Sequence, residues 1–144
     1  MKREVLRPDD RRLAINLHDL GRLHLQRGAP AEAEPLLREA LKIRRTRFTD
    51  QDARTASTGS HLGDCLLQLD RLDEAEVLLV KSYPVLDSEY GSANERTQRA
   101  LQQLIDVYER LGRSEEAERY RRLQLPTEQD AVASDPPADE KQEE

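Results

Sequence analysis

The stretch Glu32-Ala33-Glu34 recurs as Glu74-Ala75-Glu76 and again as Glu116-Ala117-Glu118, each time after a step of 42 residues. Three copies at one fixed step indicate a repeat architecture, in which each unit buries its apolar face against its neighbours. This period decides the fold, and local motifs have to be interpreted within it. A repeat of this kind predicts a scaffold that binds something, but it does not indicate the ligand.

Small residues recur in the same register and predict where two helices come close together. Gly21 and Gly63 hold one such position in the first half of a repeat, and the alanine of each Glu-Ala-Glu stretch holds another in the second half. A larger side chain at these positions would overpack the contact between the helices. Three leucines are predicted to fill the space beside them: Leu20, Leu62 and Leu104.

Apolar residues at helical spacing, separated by turn residues, predict two helices in each repeat. Pro35 and Pro84 fall inside second helices, where each removes a backbone hydrogen bond and should bend the helix. Ser114 is predicted to be the N-cap of the last helix, with Glu115 and Glu116 in its first turn. The predicted helices cover about residues 12–26, 31–47, 53–69, 73–89, 95–111 and 114–123.

The register divides the chain into five parts. Repeat three is predicted to be a C-terminal cap, because Arg121 and Gln124 replace packing positions and would be buried without partners under a fourth repeat. The tail that follows is acidic, contains proline and has few apolar residues, so we expect it to be disordered. The five parts are 1–11 (the end of a preceding repeat, or a linker), 12–52, 53–94, 95–125 and the tail 126–144.

The formal net charge of −6 is located in the tail. Residues 127–144 hold seven acidic residues and one basic residue, so the other 126 residues carry 22 of each sign and are neutral. A nucleic-acid or membrane partner would need a surplus of lysine and arginine on one face, and neither is expected. No apolar run approaches the ~20 residues of a membrane span. A single cysteine excludes an intramolecular disulfide, and we expect a reducing, cytoplasmic location.

The sequence contains no motif typical of catalysis or cofactor binding. It has no glycine-rich phosphate loop, no His-Glu-x-x-His, no Cys-x-x-Cys and no Gly-x-Ser-x-Gly. We therefore expect no enzyme activity, cofactor or metal, although the chain could be attached to a kinase in a longer protein. His18, His24 and His61 lack the spacing of metal ligands. His24 is predicted to fill an aromatic position and the other two to face solvent, while Cys65 is predicted to be a small core residue.

One basic cluster, Lys42-Ile43-Arg44-Arg45-Thr46-Arg47, ends a predicted second helix. Positive charge at this end complements the helix dipole, so we predict a solvated helix end. The alternative is a docking surface for an acidic partner or for the chain's own tail.

The order of Leu20-Gly21, Ala33, Leu37 and Ala40 resembles the tetratricopeptide repeat, in which small residues let paired helices nest. The step of 42 resembles the long-linker variety found in kinesin light chains and in many bacterial proteins. Repeats two and three are also similar to the C-terminal arrays of bacterial serine/threonine protein kinases. The resemblance implies an all-α fold, an α-solenoid of three helix-turn-helix hairpins in a right-handed superhelical stack.

The resemblance also implies a groove, because the first helices of this family line a concave face. The inward positions are polar and of mixed sign, and they vary between repeats while the packing positions recur. Such a surface suits an extended peptide held by side-chain hydrogen bonds, and the alternative is a set of ordinary solvated residues. The predicted partner-binding residues are Ile15, His18, Arg22, Gln26, Ser57, Ser60, Asp64, Gln68, Arg99, Gln102, Asp106 and Arg110.

From these observations we expect a scaffold for protein–protein interaction that binds a peptide or a helix in its groove. The identity of the partner and the oligomeric state stay open. The alternative is a structural or regulatory C-terminal segment of a larger bacterial signalling protein, such as a serine/threonine kinase, with no ligand of its own.

Overall fold

The computed structural model describes residues 10–125, which form six α-helices joined by short turns. The all-α prediction is confirmed, and each helix bound lies close to its predicted position. The predictions for residues 1–9 and for the tail 126–144 lie outside the described residues. The helices are α1 (Asp10–Gln26), α2 (Pro30–Arg47), α3 (Ala53–Gln68), α4 (Leu72–Tyr90), α5 (Glu95–Arg110) and α6 (Ser114–Arg121).

The helices pack as three hairpins in sequence order. Each helix contacts the next along the chain, so that α2 joins the first hairpin to the second and α4 joins the second to the third. The first helices α1, α3 and α5 also approach one another closely in turn, whereas α2 and α4 meet through the ion pair of Arg38 with Glu74 at 3.4 Å. The first helices therefore lie on the inner side of the array, where the helices are closest together.

Small residues permit the close approach inside each hairpin, as predicted. A Cβ atom on Gly21 would lie 2.7 Å from Cγ of Leu37, and one on Gly63 would lie 2.8 Å from Cγ of Leu79. The alanines of the three Glu-Ala-Glu stretches, Ala33, Ala75 and Ala117, are all 0% exposed. A larger side chain at any of these positions would have to displace a packed leucine or a helix.

The three hairpin turns share one backbone conformation. Gly28, Asp70 and Gly112 stand 42 residues apart and have φ values of 77°, 64° and 75°. The residue after each of them donates its N–H back into the first helix, as Arg71 does to the carbonyl of Leu66 at 2.8 Å. Asp70 accepts this left-handed conformation because a short polar side chain tolerates it better than most.

Ion pairs connect neighbouring hairpins in the same register. Arg71 lies in the second hairpin turn and donates to Glu34 of α2 at 2.8 Å. Arg113 lies in the third turn and donates to Glu76 of α4 at 3.1 Å. The second glutamate of the Glu-Ala-Glu stretch therefore forms an ion pair with the next hairpin, a role that was not predicted from the sequence. The third such glutamate, Glu118, pairs with arginines one turn further along the chain.

The N-cap residue differs from the prediction at the last helix, α6. Asp52 and Asn94 cap α3 and α5, each accepting a backbone N–H two residues ahead at 2.8 Å. The prediction that Ser114 caps α6 is wrong, because Ser114 is already the first helical residue. Arg113 holds the cap position and makes no side-chain cap bond.

The outer face of α1 also differs from prediction. Leu62 and Leu104 are 1% and 0% exposed, but Leu20 is 44% exposed and does not fill the predicted space. Leu62 and Leu104 lie on helices that pack against the second helix of the preceding hairpin. Within residues 10–125 no hairpin precedes α1, so Leu20 and Leu13 remain uncovered.

Candidate functional site

A polar cavity of about 430 Å³ opens on the inner side of the array, where α1, α3 and α5 face one another. A smaller cavity of about 220 Å³ adjoins it and shares several of its residues. We call the two together the groove. Its residues are His18, Asp19, Arg22, Leu25, Gln26, Ser57, His61, Asp64, Glu95, Arg96 and Arg99.

The charges of the groove are paired only loosely. Arg22 lies 3.8 Å from Asp19, and Arg99 lies 3.7 Å from Glu95, both beyond hydrogen-bond distance. The side chains of Arg22 and Arg99 are 46% and 41% exposed. Both guanidinium groups can therefore donate to a molecule that enters the groove.

His18 and His61 form the floor of the groove and pack edge to face, with ring centroids 4.9 Å apart. Both are 8% exposed, so the prediction that they face solvent is wrong. Nδ1 of His18 lies 3.0 Å from Oγ1 of Thr58. Burial, together with the charge of nearby arginines, lowers the pKa of His18 to about 4 and that of His61 to about 3. Both rings are neutral at pH 7.

His61 is the buried group of this site that lacks a partner. Within residues 10–125 its ring nitrogens make no hydrogen bond, although its ring lines both cavities. A buried polar group normally has a hydrogen-bond partner, and leaving it without one costs free energy. A neutral imidazole offers one donor and one acceptor, so a molecule in the groove can complete both bonds.

Six of the twelve predicted partner-binding residues come together in the groove. They are His18, Arg22, Gln26, Ser57, Asp64 and Arg99. Asp64 is half-buried, and burial raises its pKa. The structure places these six side chains around one space, while their role in binding remains a prediction.

The other six lie elsewhere or are already engaged. Ser60 is 4% exposed and donates to Gln103 at 3.2 Å, and it is not among the residues that line the groove. Arg110 donates to the carbonyl of Leu67 and to Asp70, which ties it to a hairpin turn. Three remaining residues, Gln68, Gln102 and Asp106, form side-chain hydrogen bonds within their own helices. Ile15 lines a separate cavity.

Several residues of the groove were not predicted from the sequence, among them Asp19, His61, Glu95 and Arg96. Glu95 and Arg96 precede Arg99 by one helical turn and lie on the same side of α5, so helical spacing alone would have found them. His61 lies four residues after Ser57 and three before Asp64, so the same spacing would have found it, but the predicted inward stripe of α3 passed through Ser60 instead.

The basic run at the end of α2 was predicted to be a solvated helix end. The structure shows that it is only partly solvated. Lys42 and Arg45 are exposed, but Arg44 is only 9% exposed. Its guanidinium points towards α3 and donates to Oγ1 of Thr58 at 2.9 Å. The cluster therefore has one buried arginine and several exposed basic side chains.

Cys65 is 0% exposed, as predicted for a core residue, and its thiol donates to the carbonyl of Pro30 at 3.0 Å. Burial raises its pKa to about 11, so the reactive thiolate is scarce at neutral pH. Within the described part of the chain, no three histidine, cysteine or acidic side chains converge as metal ligands. None of the helices between residues 10 and 125 has the length and apolar character that a bilayer crossing requires.

These features define an α-solenoid of helical hairpins with a polar groove along its first helices. Two family models, both described as tetratricopeptide repeat, match residues 53–122 and 17–48 of the chain. The chain belongs to the tetratricopeptide repeat family. Proteins of this family generally mediate protein–protein interaction. A sequence search of curated proteins finds no significant match.

Solved structures share this fold at low sequence identity. The TPR domain of Arabidopsis FLU has a TM-score of 0.66 and 18% identity, over 78% of this chain and 91% of that one. The repeats of a Podosopora anserina putative kinesin light chain have a TM-score of 0.68 and 20% identity, over 81% and 55%. BtubC (BKLC) from P. vanneervenii has a TM-score of 0.65 and 22% identity, over 86% and 49%. The chain spans about half the length of the last two structures.

Proposed function

We propose that this protein is an interaction module that holds an extended peptide or a helix of a partner protein in the groove. The observation that carries the proposal is the polar cavity of about 430 Å³ between α1, α3 and α5. It combines loosely paired arginines with a buried imidazole that lacks a hydrogen-bond partner among residues 10–125. These groups are arranged to donate to and accept from a bound chain.

The variation between repeats supports the same function. Packing positions such as Ala33, Ala75 and Ala117 recur unchanged, whereas the groove position of Arg22 is held by Asp64 in the next repeat. A framework that is kept constant can present different side chains in each repeat. A peptide lying across α1, α3 and α5 would therefore meet a different set of side chains in each repeat.

The groove is tested by measuring binding of a peptide library to the whole chain and then titrating the selected peptides. Arg22→Glu and Arg99→Glu reverse the charge of two exposed groove residues. We expect each change to weaken binding about tenfold or more, because a charge-assisted hydrogen bond is lost and a like charge is introduced. Lys42→Glu makes the same change on the second helix α2, outside the groove, and serves as the control. Affinity that is insensitive to both groove changes would contradict the proposal.

A second candidate function is favoured by the outer face of α1. Leu13 and Leu20 are exposed there, while their counterparts in α3 and α5 are covered by a preceding helix. The segment could then be a structural or regulatory part of a larger cytoplasmic signalling protein, such as a bacterial serine/threonine kinase, with no ligand of its own. Catalytic motifs in an open reading frame upstream of Met1, together with no peptide binding, would favour this function.

A further inference from the structure

A second cavity, of about 250 Å³, lies at the junction of α1, α2 and α3, away from the groove. Its wall combines two kinds of side chain. Four arginines contribute positive charge, and aliphatic and aromatic residues contribute apolar surface. The arginines are Arg11, Arg44, Arg47 and Arg54, and the apolar residues are Ala14, Ile15, Ile43 and Phe48.

The positive charge of this cavity is largely uncompensated within residues 10–125. Arg54 pairs with Asp52 at 2.9 Å and lies over the ring of Phe48, 3.6 Å from its centroid. The other three arginines make no ion pair with the described residues. The cavity therefore has a surplus of guanidinium groups over carboxylates.

Among these arginines, Arg44 is the one whose burial is least favourable for folding. It is 9% exposed, and its Nη1 donates to Oγ1 of Thr58 at 2.9 Å and to the carbonyl of Arg54 at 3.1 Å. Both acceptors are neutral, so they satisfy hydrogen bonds without balancing the charge. Burial lowers the pKa of Arg44, and the carboxylates of Asp19 and Asp52 act on it only from a distance and offset this effect in part. Burial of a charge without a direct ion pair is unfavourable. The stability of the fold alone therefore does not account for an arginine at this position.

The next repeat shows that the fold does not require Arg44. The residue 42 positions later is Leu86, which is 1% exposed and packs in an apolar cluster with Val85, Ala56 and Ala100. Ala100 stands in the next repeat where Thr58 accepts from Arg44, so an apolar pair fits these two positions and avoids the cost of the buried charge.

A second difference between the repeats adds to the positive charge of the cavity. Arg47 corresponds to Glu89 in the next repeat, so the sign at this position is reversed. The pairing of arginine with an aromatic ring is kept, since Arg96 lies over Tyr90 at 4.8 Å as Arg54 lies over Phe48. The stacked pair belongs to the common framework, whereas Arg44 and Arg47 are specific to the first repeat.

We propose that this cavity binds a small organic anion, a carboxylate or phosphate group attached to an apolar body. Guanidinium groups bind carboxylates and phosphates through paired charge-assisted hydrogen bonds. Ile15, Ile43 and Phe48 offer apolar surface to the rest of the ligand. The volume of about 250 Å³ lies just below the usual range for ligand sites, which fits a small molecule and not a folded segment. The site is separate from the groove and does not depend on the proposed function.

The experiment titrates phenyl phosphate and benzoate into the full chain and follows the arginine side-chain and backbone amide signals by NMR. Inorganic phosphate tests charge alone, and benzyl alcohol tests apolar contact alone. We expect saturable binding of at least one of the two aromatic anions, with shifts at Arg44, Arg47 and Phe48. Inorganic phosphate and benzyl alcohol should each bind about tenfold more weakly than the aromatic anion, or not at all.

The matched variants are Arg44→Leu and Arg47→Glu, which install the residues that the second repeat carries at these positions. Each should weaken binding about tenfold or more, because a charge-assisted contact is removed. Arg45→Leu is the control, since Arg45 belongs to the same basic run but is exposed and pairs with Asp50 at 3.0 Å. No saturable binding of either aromatic anion would overturn the proposal. An equal loss of affinity in Arg45→Leu and in the two cavity variants would also overturn the proposal, because such a result would indicate a general effect of surface charge.

Discussion

His18 and His61 are kept uncharged at the floor of the groove by burial and by the arginines around them. Burial is the larger cause for both, and Arg44 acts further on His18 while Arg99 acts further on His61. A neutral imidazole can both donate and accept a hydrogen bond, whereas a protonated one can only donate. The surrounding charge thus preserves the hydrogen-bonding versatility of the groove.

We expect the protein to lose stability in mild acid because of these two residues. An unfolded histidine gains a proton as the pH falls through about 6.5, whereas the folded side chains, with pKa values of about 4 and about 3, do not. The unfolded state therefore binds more protons in this range, and the free energy of unfolding falls as the pH is lowered. The loss should be about 2 kcal/mol for each histidine between pH 7 and pH 5.

Urea unfolding at pH 7 and pH 5 measures this loss. His61→Gln removes one of the two titrating groups, so the difference between the two pH values should shrink by roughly half. A variant that loses as much stability as the natural chain would show that His61 is not the group responsible.

The sequence identifies individual residues well where spacing alone determines their place. Ala33, Ala75 and Ala117 were predicted to be buried because they recur at one fixed step, and all three are 0% exposed. His18 and Ser60 are more buried than predicted, because they lie where one first helix meets the next. Periodicity in one helix indicates which residues share a face, but not how closely the neighbouring hairpin approaches that face.

At the scale of the helices, the starts of α3 and α5 are fixed by side-chain caps and the start of α6 is not. Asn94 accepts the N–H of Arg96 at 2.8 Å, and Asp52 accepts the N–H of Arg54 at the same distance. Both follow a longer connection between hairpins. Ser114 instead follows a tight turn that places Arg113 at the cap position. Turn geometry therefore overrides the preference of serine for a cap.

The caps give a prediction with an internal control. Asn94→Ala should lower the free energy of unfolding by about 1 kcal/mol, because the first turn of α5 loses a hydrogen bond. Ser114→Ala should have little effect, since the Ser114 side chain makes no cap bond. Chemical denaturation of the two variants compares them directly, and equal losses would show that capping does not account for the difference.

The whole molecule is a short linear array, in which each hairpin is stabilised mainly by its neighbours. Among the described residues, α3 packs against α1, α2, α4 and α5, whereas α6 packs mainly against α5 and reaches α4 through the ring contact of Tyr120 with Tyr83. The eight residues of α6 include a single buried side chain, Ala117. Stability should therefore be highest in the middle of the array and lowest at its C-terminal end.

Amide hydrogen exchange measured by mass spectrometry tests this order. We expect α3 and α4 to exchange most slowly and α6 to exchange most rapidly, because α6 can open without breaking the central hairpin. Equal protection of α6 and α3 would indicate that the array unfolds only as a single unit.

The architecture was predictable at this scale because the repeat appears in three copies that stand 42 residues apart. The groove was predictable only in part. Its location follows from the order of the hairpins, and six of its residues were anticipated from the family resemblance. The arginine-lined cavity was not anticipated, because Ile15, Arg44 and Arg54 lie on three different helices and come together only in the folded chain.

The bridges from Arg71 to Glu34 and from Arg113 to Glu76 are two copies of one joint. If a duplicate of residues 53–94 were inserted after residue 94, its copy of Arg71 would lie at the position that pairs with Glu76. Its copy of Glu76 would lie at the position that pairs with Arg113. The glycine and alanine of close approach would be copied along with them. Duplication of a single segment of the gene would then lengthen the array without requiring any new kind of contact.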